Sequence, residues 1–384
     1  MKPHTWTTLT CLSELSDKDR TYLFQFSNNP FNCYEFLSAL ESTGCVGEQS
    51  GWLPHHQLLT IEGQAVGLLI CYQKQHSYGE YVFDWAWAEA YHRHNIPYYP
   101  KLLVAIPFTP VPVSKWLTSA DITEELAVTA LLERDGSYVS GVHYLYPPEQ
   151  QPSWHEEQWI NRHGQQFHWF NEHPVDGREF QDFDDFLKSM TARKRKSIKK
   201  ERAAIHQKGI RCVWRTGHEI SGQELNAFYQ YYHLTYFKRG HKGYLSREFF
   251  EAIFDNMPDA VRLLVCYQDS DIVAAALYFV SDDTLYGRYW GSNHQHELLH
   301  FEACYYQGID YCLTHKLKCF NPGTQGEHKI SRGFKPTLTM SYHHLTLPPF
   351  QQAIGRFCRE EKLYNQEYMQ SCSVRLPFKK LVPD

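Results

Sequence analysis

Residues 325–336 read QGEHKISRGFKP and place a carboxylate (Glu327), an imidazole (His328), two ammonium groups (Lys329, Lys335) and a guanidinium (Arg332) in one turn-rich segment. Such a set suits a reaction in which negative charge builds on oxygen while an amine loses a proton. Lys329 or Arg332 could stabilise an oxyanion or a phosphate. A neutral His328, or a carboxylate, could take the proton. Gly326 and Gly333 imply a defined backbone path. The competing reading is a surface loop with solvated charges.

Three further groups carry chemistry. Tyr286-Gly287-Arg288-Tyr289-Trp290 lies shortly before His300 and Glu302. His300 or Glu302 could orient or deprotonate an amine, and Arg288, Tyr289, Trp290 and Glu327 could contact substrate. Alternatively, Arg288 and Glu302 form a structural ion pair. RKRKSIKKER, residues 193–202, is basic at seven of ten positions. Arg193, Lys194, Arg195, Lys196, Lys199 and Lys200 there could contact the phosphates of RNA or of a nucleotide-linked substrate. The alternative is a solvated face, or one paired with Asp182, Asp184 and Asp185. In the first half, KQHSYGEYVFDWAW and YYPK bring Lys74, His76, Tyr78 and Lys101 together with Glu80 and Asp84, a set that could line a cleft for a sugar or peptide. Phe83 and Trp85 are expected in the core. The pairs His55-His56 and His343-His344 lack supporting ligand spacing, so no metal is expected.

These residues need elements to hold them. Residues 285–290 alternate as a strand, and 298–316 carry apolar side chains at helical spacing. Residues 318–320 form a brief extended piece before the Asn-Pro-Gly turn. Thr191 is placed to cap a basic helix whose apolar stripe is only Ile198 and Ile205. Helices are expected over 222–237 and 246–257, and a three-strand meander over 261–267, 272–280 and 285–290. The first half reads as a helix at 30–41, a hairpin at 56–62 and 65–73, and a strand at 80–85. A helix at 85–95, a strand at 98–106 and a helix at 119–134 follow. The half closes with a strand at 137–144, a helix at 147–161 and a strand at 167–170. Both halves share a hairpin followed by strand, helix, strand, which implies a duplicated α/β unit with a polar boundary near residues 171–178.

Bulk properties narrow the function. The 384 residues suffice for two domains, and 42% hydrophobic content for two cores. Net charge is −5, so any nucleic-acid contact must come from a local patch. Eleven scattered Cys without C-x-x-C spacing fit reduced thiols. The N-terminal residues lack a signal-peptide pattern, and no apolar run is long enough to span a bilayer. A cytoplasmic protein is expected. Signatures for P-loops, dinucleotide binding and α/β-hydrolases are absent.

GEYVFDWAWAEAY, YYPKL and PFTPV in the first half, with RKRKSIKKER, LYGRYWG, LHFEACYY and QGEHKISRGFKP in the second, resemble the FemAB-like family of N-acyltransferases, over about residues 29–361. The resemblance implies an α/β fold of two tandem acyl-CoA N-acyltransferase-like (GNAT) domains, with mixed, mostly antiparallel sheets and flanking helices. The domains would be residues 1–172, in a supporting role, and 173–384, with the site. The family is similar to Fem-type enzymes that move an amino acid from aminoacyl-tRNA to an amine of a peptidoglycan precursor. By that likeness the basic helix stands where those enzymes have one. Lys329 and Arg332 stand where a basic residue before a Gly-Phe pair, here Gly333-Phe334, would stabilise a tetrahedral intermediate. No cofactor is firmly implied; acyl-CoA and aminoacyl-tRNA are the donors to consider. Acetyl-CoA enzymes of this fold carry [QR]-x-x-G-x-[GA] at the strand-to-helix junction, where this chain reads GSNHQHELLHFE. The expected activity is amide formation between an activated acyl or aminoacyl group and an amine. The rivals are a non-catalytic module holding a cell-wall precursor or RNA, and a CoA-dependent N-acetyltransferase.

Overall fold

The computed structural model describes residues 4–148, 154, 158–238, 240–293, 296–324 and 326–379. The chain divides into two units. Unit 1 comprises Met1–Gly164, Tyr244–Phe249 and Leu338–Gln366; unit 2 comprises Gln165–Gly243, Phe250–Thr337 and Glu367–Asp384. Both are α/β, with mostly antiparallel sheets.

In unit 1 the strands His4–Leu9, His56–Ile61, Gln64–Leu69 and Trp116–Thr118 form an antiparallel sheet in that order. The expected hairpin is its centre, turning at Glu62-Gly63, both in the left-handed region. A second group of strands pairs Trp52–Pro54 with Tyr72–Lys74 and Tyr72–Lys74 with Lys101–Val104, antiparallel. Lys101–Val104 then pairs in parallel with Gly141–Leu145. A parallel pair needs a crossover, and the helix Glu124–Asp135 lies within it.

Unit 2 repeats that plan. Ile210–Thr216, Val261–Gln268, Asp271–Val280 and Thr284–Ser292 make an antiparallel meander. The last of these pairs in parallel with Cys319–Asn321 after a helical crossover. Leu264, Ala276, Tyr278, Ile309, Phe320 and Phe334 are among the side chains of its core. The helix Gly222–Phe237 begins at a capping box of Ser221 and Glu224.

Several expectations need correcting. Residues 80–85 form no strand: Gly79 and Tyr81 have left-handed backbones, which break an extended run, and the chain enters the helix Trp85–Arg93 instead. Phe83 and Trp85 are not core; they are 58% and 43% exposed, and Trp85 packs edge-on against Tyr78 with ring centroids 4.8 Å apart. The helix expected over 147–161 lies largely outside the described residues, and its last two positions open the strand Ile160–Phe170, which absorbs 167–170. The helix expected over 298–316 runs over 299–315 but contains a π-helical turn, Glu302–Tyr306. Among the described residues no helix is long and apolar enough to cross a membrane.

Candidate functional site

The strand Thr284–Ser292 and its parallel partner meet only over Thr284–Cys319, Leu285–Phe320 and Tyr286–Asn321. Beyond Tyr286 that pairing ends while the strand continues to Ser292. There its register against the neighbouring strand slips: Tyr278 faces Gly287 and Leu277 faces Tyr289, so Arg288 is the bulged residue. Glycines let the two parallel segments approach at this point. A Cβ on Gly287 would lie 3.3 Å from Pro322 Cα, and one on Gly323 would lie 3.2 Å from the Gly287 carbonyl.

The polar segment that follows folds inward. Glu327–Arg332 is a 3-10 helix ended by Gly333 in the left-handed region, with Lys329 and Arg332 only 1% and 6% exposed. The reading as a solvated surface loop therefore fails for these two side chains. Lys329 Nζ donates to the carbonyls of Gly323 (2.7 Å) and Thr324 (3.4 Å). Burial disfavours the ammonium and pulls its pKa down to about 7, against a small opposing influence from Cys304. Asn321 Oδ1 accepts from Gly323 N–H at 3.0 Å, and Asn321 Nδ2 donates to Gln166 Oε1 at 3.5 Å. The same Gln166 oxygen meets His168 Nε2 at 2.9 Å. Burial, with the Lys329 charge, pushes His168 down to about 3, so this ring is neutral.

Arg332 is held on every side. Nε donates to the Tyr306 hydroxyl (2.9 Å), Nη2 to Glu201 (2.8 Å) and Nη1 to the His328 carbonyl (2.8 Å). Its guanidinium sits 3.6 Å from the Phe301 ring centroid. Tyr306 also donates to Glu201. The π turn presents the consecutive Tyr305 and Tyr306 to this segment, Tyr305 bonding His328 Nε2 at 2.7 Å. Partial desolvation, then the charges of Arg332 and Lys329, hold His328 below the ordinary imidazole pKa. His328 is exposed, unlike Lys329. His300 packs against Trp290, Tyr305 and His328 with ring centroids 5.6, 5.3 and 6.2 Å away.

Glu302 is buried and bound, and its ion partner is Arg202 rather than Arg288. Arg202 also bridges to Asp310 at 2.6 Å, and Gln307 donates to Glu302 at 2.8 Å. Glu302 is thereby a fixed anchor. Glu327 accepts from Tyr368 (2.6 Å) and Arg375 (3.0 Å), both in the segment Glu367–Asp384 of unit 2. Tyr289 is buried beside Tyr232 and Phe250; the Arg288 guanidinium lies 5.6 Å from the Tyr289 ring centroid.

The basic helix Ala192–Gln207 starts at Thr191, whose hydroxyl makes no capping bond. Ile198, Glu201, Arg202 and Ile205 turn toward the site, while Arg193, Lys196, Lys199 and Lys200 are exposed and Lys194 and Arg195 half-buried. One cation pairs as the acidic alternative supposed, Lys199 with Asp184 at 2.8 Å.

In unit 1, Lys74 and Lys101 are fully buried. Lys101 binds Asp84, Glu80 (2.8 Å) and Ser77 (3.1 Å), and Tyr98 donates to Asp84 at 2.7 Å. Burial opposes the Lys101 charge, but Asp84 and Glu80 outweigh it and raise its pKa. Lys74 lies 3.8 Å from the Trp52 ring centroid and bonds the Tyr78 carbonyl (3.2 Å) and His76 (3.4 Å). Burial pulls Lys74 down to about 6. His76 also contacts the Ser50 carbonyl at 2.8 Å, and Tyr78 is 56% exposed.

The structure thus joins Lys329, Arg332, His328 and His300 in unit 2, and Lys74, His76, Tyr78 and Lys101 in unit 1. Sequence reasoning passed over Glu201, Arg202, Tyr305, Tyr306, His168 and Asn321. Glu201, a lone acid inside a basic run, and the adjacent tyrosines of ACYYQ were the available signals.

The sequence model of the FemAB-like family, described as peptidoglycan biosynthesis/recognition, matches residues 2–380. No curated protein matches the chain. The crystal structure of FemX is similar at 11% identity, covering 91% of this chain and 100% of FemX, with a TM-score of 0.50. The C-terminal domain of a putative lysylphosphatidylglycerol synthetase from Agrobacterium fabrum is similar at 8% identity, covering 90% and 95%, with a TM-score of 0.51. These likenesses concern the fold.

Proposed function

The chain belongs to the FemAB-like family, and from that premise we propose that it is an N-acyltransferase whose reaction centre lies around Lys329 in unit 2. The observation that carries this reading is a buried ammonium whose hydrogen-bond partners among the described residues are two backbone carbonyls, where the parallel strands stop pairing. In the reaction, an acceptor amine attacks the carbonyl of an activated ester or thioester. An N–C bond forms, the carbonyl oxygen becomes an oxyanion, and the bond to the leaving oxygen or sulfur then breaks. Lys329 donates to the oxyanion; its proton affinity rises as that charge develops, so it is ammonium when needed. His328, fixed by Tyr305, takes the amine proton and returns it to the leaving group. Arg332 directs one N–H from each guanidinium nitrogen to Tyr306, Glu201 and the His328 carbonyl and is only 6% exposed, which makes it a positioning residue.

The exposed cations of the basic helix suit a polyanionic donor, aminoacyl-tRNA before acyl-CoA, and the family's description suggests a peptidoglycan precursor as the amine acceptor. Purified protein with labelled aminoacyl-tRNA, or with acyl-CoA, and amine acceptors tests this. Amide product that depends on Lys329 supports it. Salt-dependent RNA binding with no transfer to any acceptor would replace it with the binding-module reading.

A further inference from the structure

Two of the eleven Cys face each other across unit 2. Cys212 lies on the strand Ile210–Thr216 and Cys266 on Val261–Gln268, and they are direct partners in the antiparallel register. Facing residues of such a pair have Cα atoms about 4.5–5.5 Å apart, inside the range of about 4.4–6.8 Å that a disulfide spans. Both side chains turn to the same face, Cys266 within the core and Cys212 packed against it. Their sulfurs are 3.4 Å apart. Among the described residues no other two thiols make such a contact. Closing that gap to the length of an S–S bond takes a movement of about 1.4 Å, shared by two side chains whose strands are already paired.

The two thiols differ in access. Cys266 is fully buried, whereas Cys212 is half-buried. The contact with Cys212, and then burial, hold the Cys266 thiol well above its ordinary pKa, so Cys212 is the one that meets an oxidant. The strand that carries Cys212 is also the less secured of the two. Among the described residues it pairs along one side only, with Val261–Gln268, and it follows the basic helix Ala192–Gln207 almost at once. A strand paired on one side opens more readily than one paired on both.

We propose that Cys212 and Cys266 are a peroxide-sensitive pair, whose oxidation to a disulfide staples the edge strand to the sheet of unit 2. The Cys212 thiolate attacks the peroxide: an S–O bond forms, the O–O bond breaks, and the departing hydroxide takes a proton to give water and a sulfenic acid. The Cys266 sulfur then attacks the Cys212 sulfur. The S–S bond forms as the S–O bond breaks, and the second hydroxide leaves as water with the Cys266 proton. Two electrons from the two thiols reduce one peroxide to two waters. The inference is independent of the transfer chemistry assigned to unit 2.

Graded treatment of the full-length protein with hydrogen peroxide tests it, followed by acid quench, alkylation of free thiols, digestion and mass spectrometry. The first linked peptides to appear join Cys212 to Cys266, and dithiothreitol reverses the link. In Cys266→Ala, Cys212 stops at the sulfenic acid and is trapped by dimedone; in Cys212→Ser, Cys266 remains a free thiol at the same peroxide dose. In the linked wild type, the backbone amides of residues 210–216 exchange with deuterium at least about tenfold more slowly than in the reduced protein, since the link opposes local opening. The proposal is overturned if both thiols remain free while other Cys oxidise, if Cys212 passes to sulfinic acid without linking, or if the linked protein exchanges residues 210–216 as fast as the reduced one.

Discussion

Burying Lys329 costs stability, and the cost depends on pH. Its pKa is about 7 in the folded chain and near 10.5 when solvated, so between these values the unfolded chain holds the extra proton. The sign follows: this lysine penalises folding fully below pH 7, and the penalty is relieved as pH rises toward 10.5. Lys329→Met should therefore raise the melting temperature more at pH 6 than at pH 9. The difference corresponds to about 2–3 kcal/mol by linkage, and calorimetry at the two pH values reads it. The catalytic profile should carry the same group. The rising limb of kcat/KM follows His328 below the usual imidazole value, and the falling limb follows Lys329 near pH 7. Lys329→Arg should remove the falling limb, since a guanidinium does not titrate there. The residue types of QGEHKISRGFKP were legible as chemistry, but their burial was not. A segment with few apolar side chains is taken inside because Arg332 finds Tyr306, Glu201 and Phe301, all distant in sequence.

At the scale of elements, the site rests on three pieces locked by shared side chains: the basic helix, the helix with the π turn, and the 3-10 segment. Glu201, Tyr306 and Arg332 form the lock, so Glu201→Gln and Arg332→Lys should not be additive. The double variant should lose about 1–3 kcal/mol less stability than the sum of the singles, measured by urea unfolding. Gly308 is a second constraint. A Cβ there would lie 2.3 Å from the Phe320 ring, next to Asn321. Gly308→Ala should destabilise by about 1–3 kcal/mol through overpacking and lower transfer activity by displacing the Gly323 carbonyl. The meander, its turns and the crossover helix could be read from periodicity, because local patterning dictates them. The π turn could not, since i to i+5 bonding leaves no distinct apolar spacing. Residues 80–85 misled in the opposite way: their alternating aromatics look like a strand, but Gly79 and Tyr81 bend the backbone, and the acids serve Lys101.

For the molecule as a whole, net charge is −5, so recognition of a polyanion has to come from a local face. The exposed side of the basic helix is such a face. Lys196→Gln with Lys200→Gln should weaken RNA binding uniformly across sequences and reduce the slope of log K against log salt by about 1–2, measured by filter binding over a salt series. The doubled plan was legible as a repeated order of strands and helix. That residues 338–366 return to unit 1 was not, because periodicity reports how a segment folds and says nothing of which core receives it. The central claim is that Lys329 stabilises the charge formed as an amide is made. Single-turnover transfer of a labelled acyl group to an amine, by the wild type and by the folded Lys329→Met variant, tests it most directly. The account predicts a loss of about 10²–10³ in rate with folding intact, and transfer by the variant at the wild-type rate would contradict it.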